Sequence, residues 1–272
     1  MMEFESQVEA SVALLRARGV AGVDTAVVLG TGLGPFADGA RDAIAIPYAE
    51  LPGFPAGEVS GHAKRLVVGE VAGRRVALLQ GRAHYYERGD ARAMAGALET
   101  LARIGVKRLV LTNAAGSCHA DWPPGSLVVL RDHINFAGVN PLVGLASDDR
   151  FVPMTDAYDA PMRAALLRAC AAAGAAPREG TYMWFSGPSF ETPAEIVMAS
   201  RLGADVVGMS TVPEVILARR LRLRVAALSL ITNLAAGIEA ANPSHGETKE
   251  VAMAAGGLVK RVLTAFLEAG DA

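Results

Sequence analysis

The sequence predicts a single α/β domain over its 272 residues. Short β-branched or apolar runs of strand length alternate with longer segments rich in helix-forming residues, an order typical of α/β folds. Hydrophobic residues make up 51% of the chain, which is enough for one large core. Because no repeat period or low-complexity linker divides the chain, we take residues 1–272 as one domain.

Eight segments have the length and the apolar content of strands. In chain order they are Thr25–Gly30, Arg65–Val71, Arg75–Gln80, Arg108–Asn113, Ser126–Arg131, Glu179–Trp184, Asp205–Gly208 and Arg224–Ile231. Six others have helical length with proline or glycine boundaries: Glu5–Arg18, Ala91–Ile104, Pro161–Ala173, Pro193–Leu202, Val212–Leu221 and Glu247–Leu267. The long connections Tyr48–Gly61 and Asn135–Pro153 are predicted to be site lids or interface loops.

The charge balance argues against nucleic-acid and membrane partners. With 26 basic and 28 acidic residues the net charge is -2, which supplies no broad cationic field. The longest uncharged apolar stretch, Val225–Ile238, contains polar residues and is shorter than the roughly 18 residues of a membrane span. Glu3 and Glu5 stand where a secretory signal needs basic residues, so a cytoplasmic location is expected. Two unpaired cysteines, Cys118 and Cys170, support neither a disulfide framework nor a cysteine metal site.

A glycine-rich turn follows the first predicted strand. The run Gly30-Thr-Gly-Leu-Gly34 could present backbone N–H groups and the Thr31 hydroxyl to an anion. Glycines in turns also occur simply to permit positive φ, so both interpretations stay open. The spacing G-x-G-x-G differs from the dinucleotide pattern G-x-G-x-x-G, and no strand-end acid follows at the required distance. This argues against a nicotinamide cofactor.

Basic and aromatic side chains cluster near two further strands. His62 precedes one strand, and Arg82, His84 and Tyr86 follow the next. A guanidinium is a rigid fork of donors that matches phosphate oxygens, so Arg82 is the strongest candidate for an anion clamp. A solvated arginine and hydrogen-bonded structural histidines remain alternatives.

Later segments place polar and aromatic residues at strand or helix ends. Phe190 could pack on a planar base while Glu191 accepts hydrogen bonds from it, although a first-turn Glu also compensates a helix dipole. Ser210 or Thr211 is a candidate N-cap of the following helix. Asn233 ends the last strand and can both donate and accept, so a buried Asn233 needs partners.

Seven blocks occur in order between about Val27 and Glu250: Gly-Thr-Gly-Leu-Gly, Gly-His-Ala, Gly-Arg-Ala-His-Tyr-Tyr-Glu, Thr-Asn-Ala-Ala-Gly, Gly-Pro-Ser-Phe-Glu-Thr, Gly-Met-Ser-Thr-Val-Pro-Glu and Leu-Ile-Thr-Asn. Together they resemble the trimeric purine nucleoside phosphorylases. The resemblance implies a mixed central β-sheet flanked by helices. It also implies phosphorolysis of inosine- or guanosine-like nucleosides to a free base and (deoxy)ribose 1-phosphate, by a homotrimer in purine salvage, without metal or cofactor.

The same resemblance implies roles for individual residues. Phosphate would be bound by Thr31, His62, Arg82, the backbone at Ala114, and Ser210. The nucleoside would be bound by Tyr86, Phe151 from a neighbouring subunit, Phe190, Glu191, Met209, Asn233 and His245. His84, Glu191 and Asn233 would act in catalysis. A Glu191 that accepts a ring N–H favours 6-oxopurines over adenine, whose N1 is unprotonated.

Some positions depart from the family pattern or carry no role in it. Thr31 stands where many relatives have Ser, which leaves phosphate affinity open. His119 is expected to be exposed and non-catalytic, and Cys118 has no assigned role. His133 could be structural or functional. Phe185 precedes the Gly-Pro-Ser-Phe-Glu-Thr block, where some relatives that accept xanthosine carry Tyr, so xanthosine remains a possible substrate.

Three other functions compete with this one. A methylthioadenosine phosphorylase handles a 6-aminopurine and usually has Asp at the position of Asn233, so Glu191 with Asn233 argues against it. A catalytically silent nucleoside- or phosphate-binding protein would not need Arg82, Glu191 and Asn233 together. A Rossmann dehydrogenase is disfavoured by the glycine spacing and the missing acid.

Overall fold

The computed structural model describes residues 2–55, 63–176 and 178–270. Its strands are β1 Thr25–Val28, β2 Arg41–Pro47, β3 Arg65–Val71, β4 Arg74–Leu79, β5 Arg108–Ser117, β6 Leu127–Asn135, β7 Glu179–Trp184, β8 Val206–Gly208 and β9 Arg224–Leu234. Its helices are α1 Met2–Ala17, α2 Tyr85–Arg88, α3 Ala95–Arg103, α4 Ala160–Ala172, α5 Pro193–Arg201, α6 Val212–Arg220 and α7 His245–Ala269. These elements form one mixed α/β fold, as the sequence predicts.

The central sheet has nine strands in the order β2-β3-β4-β1-β5-β8-β7-β6-β9. Strand β1 lies parallel to β4 and β5, whereas β2, β3 and β4 pair antiparallel. Strand β9 pairs with β6 and also runs parallel to β5, so β5, β8, β7, β6 and β9 close into a ring. The ring brings the ends of β5, β8 and β9 together.

Helices cover both faces of the sheet. Helices α1, α3 and α6 pack on one face through residues such as Leu15, Leu98 and Val215. Helices α4 and α7 cover the other face through residues such as Leu166 and Phe266. Burial on both faces explains why the central strands are nearly continuous apolar runs. Among the helices described, none is long and apolar enough to cross a membrane.

The sequence patterns did not predict β2, and they predicted three other strands too short. Strand β2 lies at the sheet edge with mostly exposed side chains, so it lacks the apolar alternation that predicts strands. Strands β5, β6 and β9 continue past their predicted ends at Asn113, Arg131 and Ile231. Apart from Ile134 and Leu234, these extensions carry small or polar residues, and inter-strand pairing rather than local propensity holds them in the sheet.

Candidate active site

The glycine-rich turn after β1 is held against two neighbouring elements. The Gly30 N–H donates to Thr112 Oγ1 at 2.9 Å, and a Cβ on Gly30 would lie 2.8 Å from the Thr112 carbonyl oxygen. Gly32 has φ +75°, and a Cβ there would lie 2.7 Å from the Ala252 Cβ of α7. Conformation and close approach therefore account for both glycines. Between them, Thr31 lines a cleft that encloses about 730 Å³, its open mouth included.

Arg82 lines this cleft, and 2% of its side chain is exposed. Its Nε donates to Glu214 Oε1 at 2.9 Å, and its Nη1 donates to the Thr112 carbonyl at 2.8 Å. Nη1 also lies 3.4 Å from Ser210 Oγ. Its buried Nη2 has no hydrogen-bond partner among the described residues. The solvated alternative for Arg82 is thus wrong, and Nη2 remains a donor for a bound anion.

The turn between β8 and α6 has a strained backbone. Thr211 has φ 71° and ψ −52°, and the Val212 N–H donates to the Ser210 carbonyl at 2.7 Å, which together define a classic γ-turn. Such a conformation is costly for a β-branched residue and needs support from its surroundings. The Thr211 N–H donates to Glu214 Oε2 at 2.9 Å, and Asn113 Nδ2 donates to Thr211 Oγ1 at 2.9 Å. Thr211, rather than Ser210, is the N-cap of α6.

His84 and Tyr86 line the cleft beside Arg82. The two rings stack with their centroids 4.8 Å apart. His84 is the N-cap of α2, and its Nδ1 lies 3.2 Å from Glu87 Oε1, which also accepts the His84 backbone N–H at 2.6 Å. Burial raises the pKa of Tyr86 to about 12, so its phenol stays protonated and can donate.

Glu191, Phe190 and Asn233 line the same cleft. Glu191 is 8% exposed, and its Oε1 has no partner among the described residues. Burial raises the pKa of this carboxyl, and nearby Glu195 raises it further. Phe190 is more open, at 38% exposed. A buried acceptor beside an aromatic ring suits a flat ligand with an N–H edge.

Asn233 is the residue before the last of β9 and lies beside a register shift in the pairing of β9 with β5. Its Oδ1 accepts from Thr232 Oγ1 at 3.0 Å, and its Nδ2 donates to the Leu234 carbonyl at 3.0 Å. The buried amide is therefore held by its own strand, as its burial requires. An amide carries two N–H bonds, so the second is available to a ligand.

Four more of the predicted site residues line the cleft: Ala114, Met209, Ser210 and His245. His245 starts α7, lines the cleft and is exposed. Burial lowers the pKa of its imidazole, and the neighbouring Lys249 and His84 lower it further. The lowered pKa favours the neutral imidazole.

Of the remaining two predicted site residues, one is not described and the other lies away from the cleft. His62 lies outside the described residues. Phe151 is 73% exposed just after a short 3₁₀ turn, Asp148–Arg150, with the Arg150 guanidinium 4.9 Å from its ring centroid. Within one chain, Phe151 contributes nothing to the cleft wall.

The remaining histidines have structural partners. His119 is half-buried rather than exposed, because its Nε2 lies 2.8 Å from Asp205 Oδ1 and its ring stacks on Trp122. The predicted exposure of His119 is thus only partial, with 37% of its side chain exposed. His133 Nδ1 lies 3.1 Å from the Tyr158 hydroxyl, and burial lowers its pKa. His133 does not line the cleft.

Sequence reasoning missed Glu214, Thr232 and Thr248. Thr232 and Thr248 line the cleft, while Glu214 lies behind Arg82. The pattern Thr211-Val-Pro-Glu214 is a capping box, which predicts a helix start. It gives no sign that Glu214 also pairs with Arg82. Only the fold brings Glu214 to Arg82, which is 132 residues away in the chain.

Comparisons with known proteins point to one family. The family model described as Phosphorylase superfamily matches residues 24–268. Purine nucleoside phosphorylase 1 of Geobacillus stearothermophilus is 43% identical over 227 residues, which cover 82% of this chain and 83% of the relative. The Mus musculus purine nucleoside phosphorylase is 41% identical over 256 residues, covering 89% and 88%.

Solved structures agree with the sequence comparisons. The Schistosoma mansoni purine nucleoside phosphorylase in complex with inosine matches with a TM-score of 0.90 and 33% identity, over 97% of this chain and 96% of that one. A structure of a Schistosoma mansoni purine nucleoside phosphorylase with adenosine matches with a TM-score of 0.89 and the same identity and coverage.

Proposed function

The chain belongs to the phosphorylase superfamily, as a purine nucleoside phosphorylase, and on this premise we propose that it cleaves 6-oxopurine nucleosides with inorganic phosphate. The products are a free purine base and ribose 1-phosphate, or the deoxy sugar from deoxynucleosides. One observation carries the proposal: a single cleft holds two buried polar atoms of opposite character that have no hydrogen-bond partner within residues 2–55, 63–176 and 178–270, the donor Arg82 Nη2 and the acceptor Glu191 Oε1.

The proposed phosphate site surrounds Arg82. Donors that line this part of the cleft are Thr31, Arg82, His84, the backbone at Ala114, and Ser210, with His62 proposed from the family pattern alone. Preorganised donors around a dianion bind it and also hold one of its oxygens below the anomeric carbon. That oxygen forms the new bond to the sugar as the bond to the purine breaks.

The proposed ribose site lies between the phosphate and the base. Tyr86 and Met209 would contact the sugar, and His245 would bind its 5′-hydroxyl. The ribose passes through an oxocarbenium-like state, as in glycoside hydrolysis, but phosphate is the nucleophile. The dianion beneath the ring stabilises the positive charge, so paired carboxylates are not required.

In the proposed base site, the leaving purine takes up the electron pair of the breaking bond. Phe190 would pack on the purine while the Glu191 carboxylate accepts its N1–H. The leaving purine becomes electron-rich at N7, and Asn233 Nδ2 would donate there. This bond strengthens in the transition state, which is what lowers the barrier. No metal or cofactor takes part in the proposed reaction.

Base release from a panel of nucleosides tests the proposal. We expect inosine and guanosine to be cleaved only when inorganic phosphate is present, with adenosine and methylthioadenosine much poorer substrates. Xanthosine belongs in the panel because of Phe185. Preference for the 6-aminopurines would favour the methylthioadenosine alternative, and binding without turnover would favour a silent binding protein. An absorbance band of a bound nicotinamide cofactor in the purified protein would favour the dehydrogenase.

Replacing Glu191 with glutamine is expected to relax base choice. The amide can turn its NH₂ toward the unprotonated N1 of adenine, which the carboxylate cannot do. Loss of one charged hydrogen bond corresponds to about a 10- to 100-fold drop in the inosine-to-adenosine ratio of kcat/KM. Glu195→Gln, in the exposed first turn of α5, is the matched control and should keep the ratio.

The pH dependence of base binding supplies an independent check on Glu191. Because burial raises its pKa, the carboxylate protonates above the ordinary glutamate value of about 4.3 and loses its acceptor as the pH falls. Hypoxanthine binding measured without phosphate should therefore weaken on the acid side. An equal acid loss in Glu191→Gln, or an unchanged purine preference, would contradict the assignment.

We also propose a cytoplasmic homotrimer in which Phe151 closes the neighbouring subunit's site. Phe151 is exposed in the single chain, which fits a side chain that a second copy covers. Phe151→Ala should raise the nucleoside KM about 10-fold through lost apolar burial, with the phosphate KM unchanged. The control Leu202→Ala removes another exposed apolar side chain. Sedimentation as a monomer, or no change in KM, would refute the proposal.

A further inference from the structure

Glu214 is the buried carboxylate behind the phosphate end of the cleft. Its side chain is 3% exposed, and Glu214 does not itself line the cleft. One oxygen accepts from Arg82 Nε at 2.9 Å and the other from the Thr211 N–H at 2.9 Å. We infer that Glu214 is a positioning residue for phosphate, holding two donors from different elements in one geometry; this inference rests on the proposed function.

The first donor is the Arg82 guanidinium. Glu214 holds its Nε edge and the Thr112 carbonyl holds Nη1. With those two edges occupied, the planar group can rotate little, and Nη2 is the edge that remains. A guanidinium pinned on two sides loses less conformational entropy when it binds a ligand oxygen.

The second donor is the Ser210 hydroxyl. Its direction depends on the γ-turn at Thr211, a conformation that persists only when the surroundings stabilise it. Glu214 accepts the Thr211 N–H and thereby supports that turn, while Ser210 Oγ lies 3.1 Å from Thr211 Oγ1. The capping box of α6 is thus also the support of the Ser210 segment.

Charge and geometry make opposite predictions for the loss of Glu214. The carboxylate offsets the Arg82 charge, so a residue that acted only by its charge would weaken phosphate binding, and a neutral variant would bind phosphate more tightly. If Glu214 instead acts by positioning the two donors, it strengthens phosphate binding, and its loss should weaken that binding. In Glu214→Gln one amide oxygen still accepts from Arg82, but the NH₂ group then faces the Thr211 N–H, two donors against each other.

Kinetics with inorganic phosphate test the inference. We expect Glu214→Gln to raise the phosphate KM about 10- to 100-fold, the size of one lost charged hydrogen bond, with the inosine KM nearly unchanged. Glu214→Asp keeps the charge but is one methylene shorter, so it should raise the phosphate KM too. Titration calorimetry with inorganic phosphate alone should show the same weakening.

Asp159→Asn is the matched control. Asp159 also caps a helix, α4, and also holds an arginine fork, Arg224, at 2.9 Å, but it lies outside the cleft. This variant should lose stability without a change in phosphate KM. If the loss of any capping carboxylate raised the phosphate KM, the Glu214→Gln and Asp159→Asn variants would show the same increase.

The outcomes separate the inference from the proposed function. A phosphate KM that falls in Glu214→Gln, or stays within about twofold of wild type, overturns the inference. No phosphate-dependent cleavage by the wild type refutes the proposed function instead. If neither variant folds, NMR of the arginine side chains in the wild type decides: Arg82 Nε–H should exchange slowly with solvent and phosphate should shift the Nη2 protons. Rapid exchange of Nε–H would overturn the inference.

Discussion

Replacing Asn233 with alanine is expected to slow the cleavage of inosine by about 100- to 1,000-fold, as for loss of one transition-state donor. The Asn233 amide is already oriented by Thr232 and by the Leu234 carbonyl, so it meets the leaving purine without reorganisation. The effect should fall on kcat and on kcat/KM equally, because N7 becomes a strong acceptor only as the bond breaks. Single-turnover base release with saturating phosphate measures it.

Asn135→Ala serves as the control for Asn233→Ala. Asn135 ends a strand, β6, and its amide also bridges backbone groups, donating to the Val139 carbonyl and accepting from the Gly138 N–H. It does not line the cleft. Both variants should lose a little stability, and only Asn233→Ala should lose turnover. Unchanged kinetics in Asn233→Ala would remove Asn233 from the mechanism.

Replacing Arg82 with lysine should lower kcat/KM for phosphate by about 100- to 1,000-fold. Lysine keeps the positive charge but has no planar fork, so it cannot hold Glu214 and the Thr112 carbonyl while donating to an anion. The nucleoside KM should change far less. Initial rates at varied phosphate and saturating inosine measure the loss, and a lysine variant with wild-type phosphate kinetics would contradict the clamp.

The buried Arg82–Glu214 ion pair also leads to a prediction about folding stability. Arg82→Met leaves a carboxylate with 3% exposure without its counter-ion, which should cost about 3–5 kcal/mol of unfolding free energy. Adding Glu214→Met removes the unpaired charge and should restore part of that stability, because the Thr211 N–H then loses its acceptor, while phosphate binding stays lost. Denaturant unfolding of both variants tests this. Equal instability of the single and double variants would mean that the pair is not coupled.

The sequence predicted most of the fold because most of its elements carry local signals. Strands β3 and β7 have their predicted bounds, and the helices other than α2 were placed to within a few residues. Strand β2 was missed because an exposed edge strand needs no apolar alternation. The extensions of β5 and β9 were missed because cross-strand pairing, rather than a local signal, holds their mostly small or polar residues in the sheet.

The sequence by itself determined the α/β class, the candidate residues and, through seven ordered blocks, the family they resemble. Only the tertiary structure decided which candidates share a cleft and which orientations they adopt. Local sequence could not resolve Arg82 as clamp or surface residue, because the answer depends on Glu214, 132 residues away. Burial and long-range hydrogen bonding arise when distant segments meet, so the chemistry of this site is a property of the folded sheet ends.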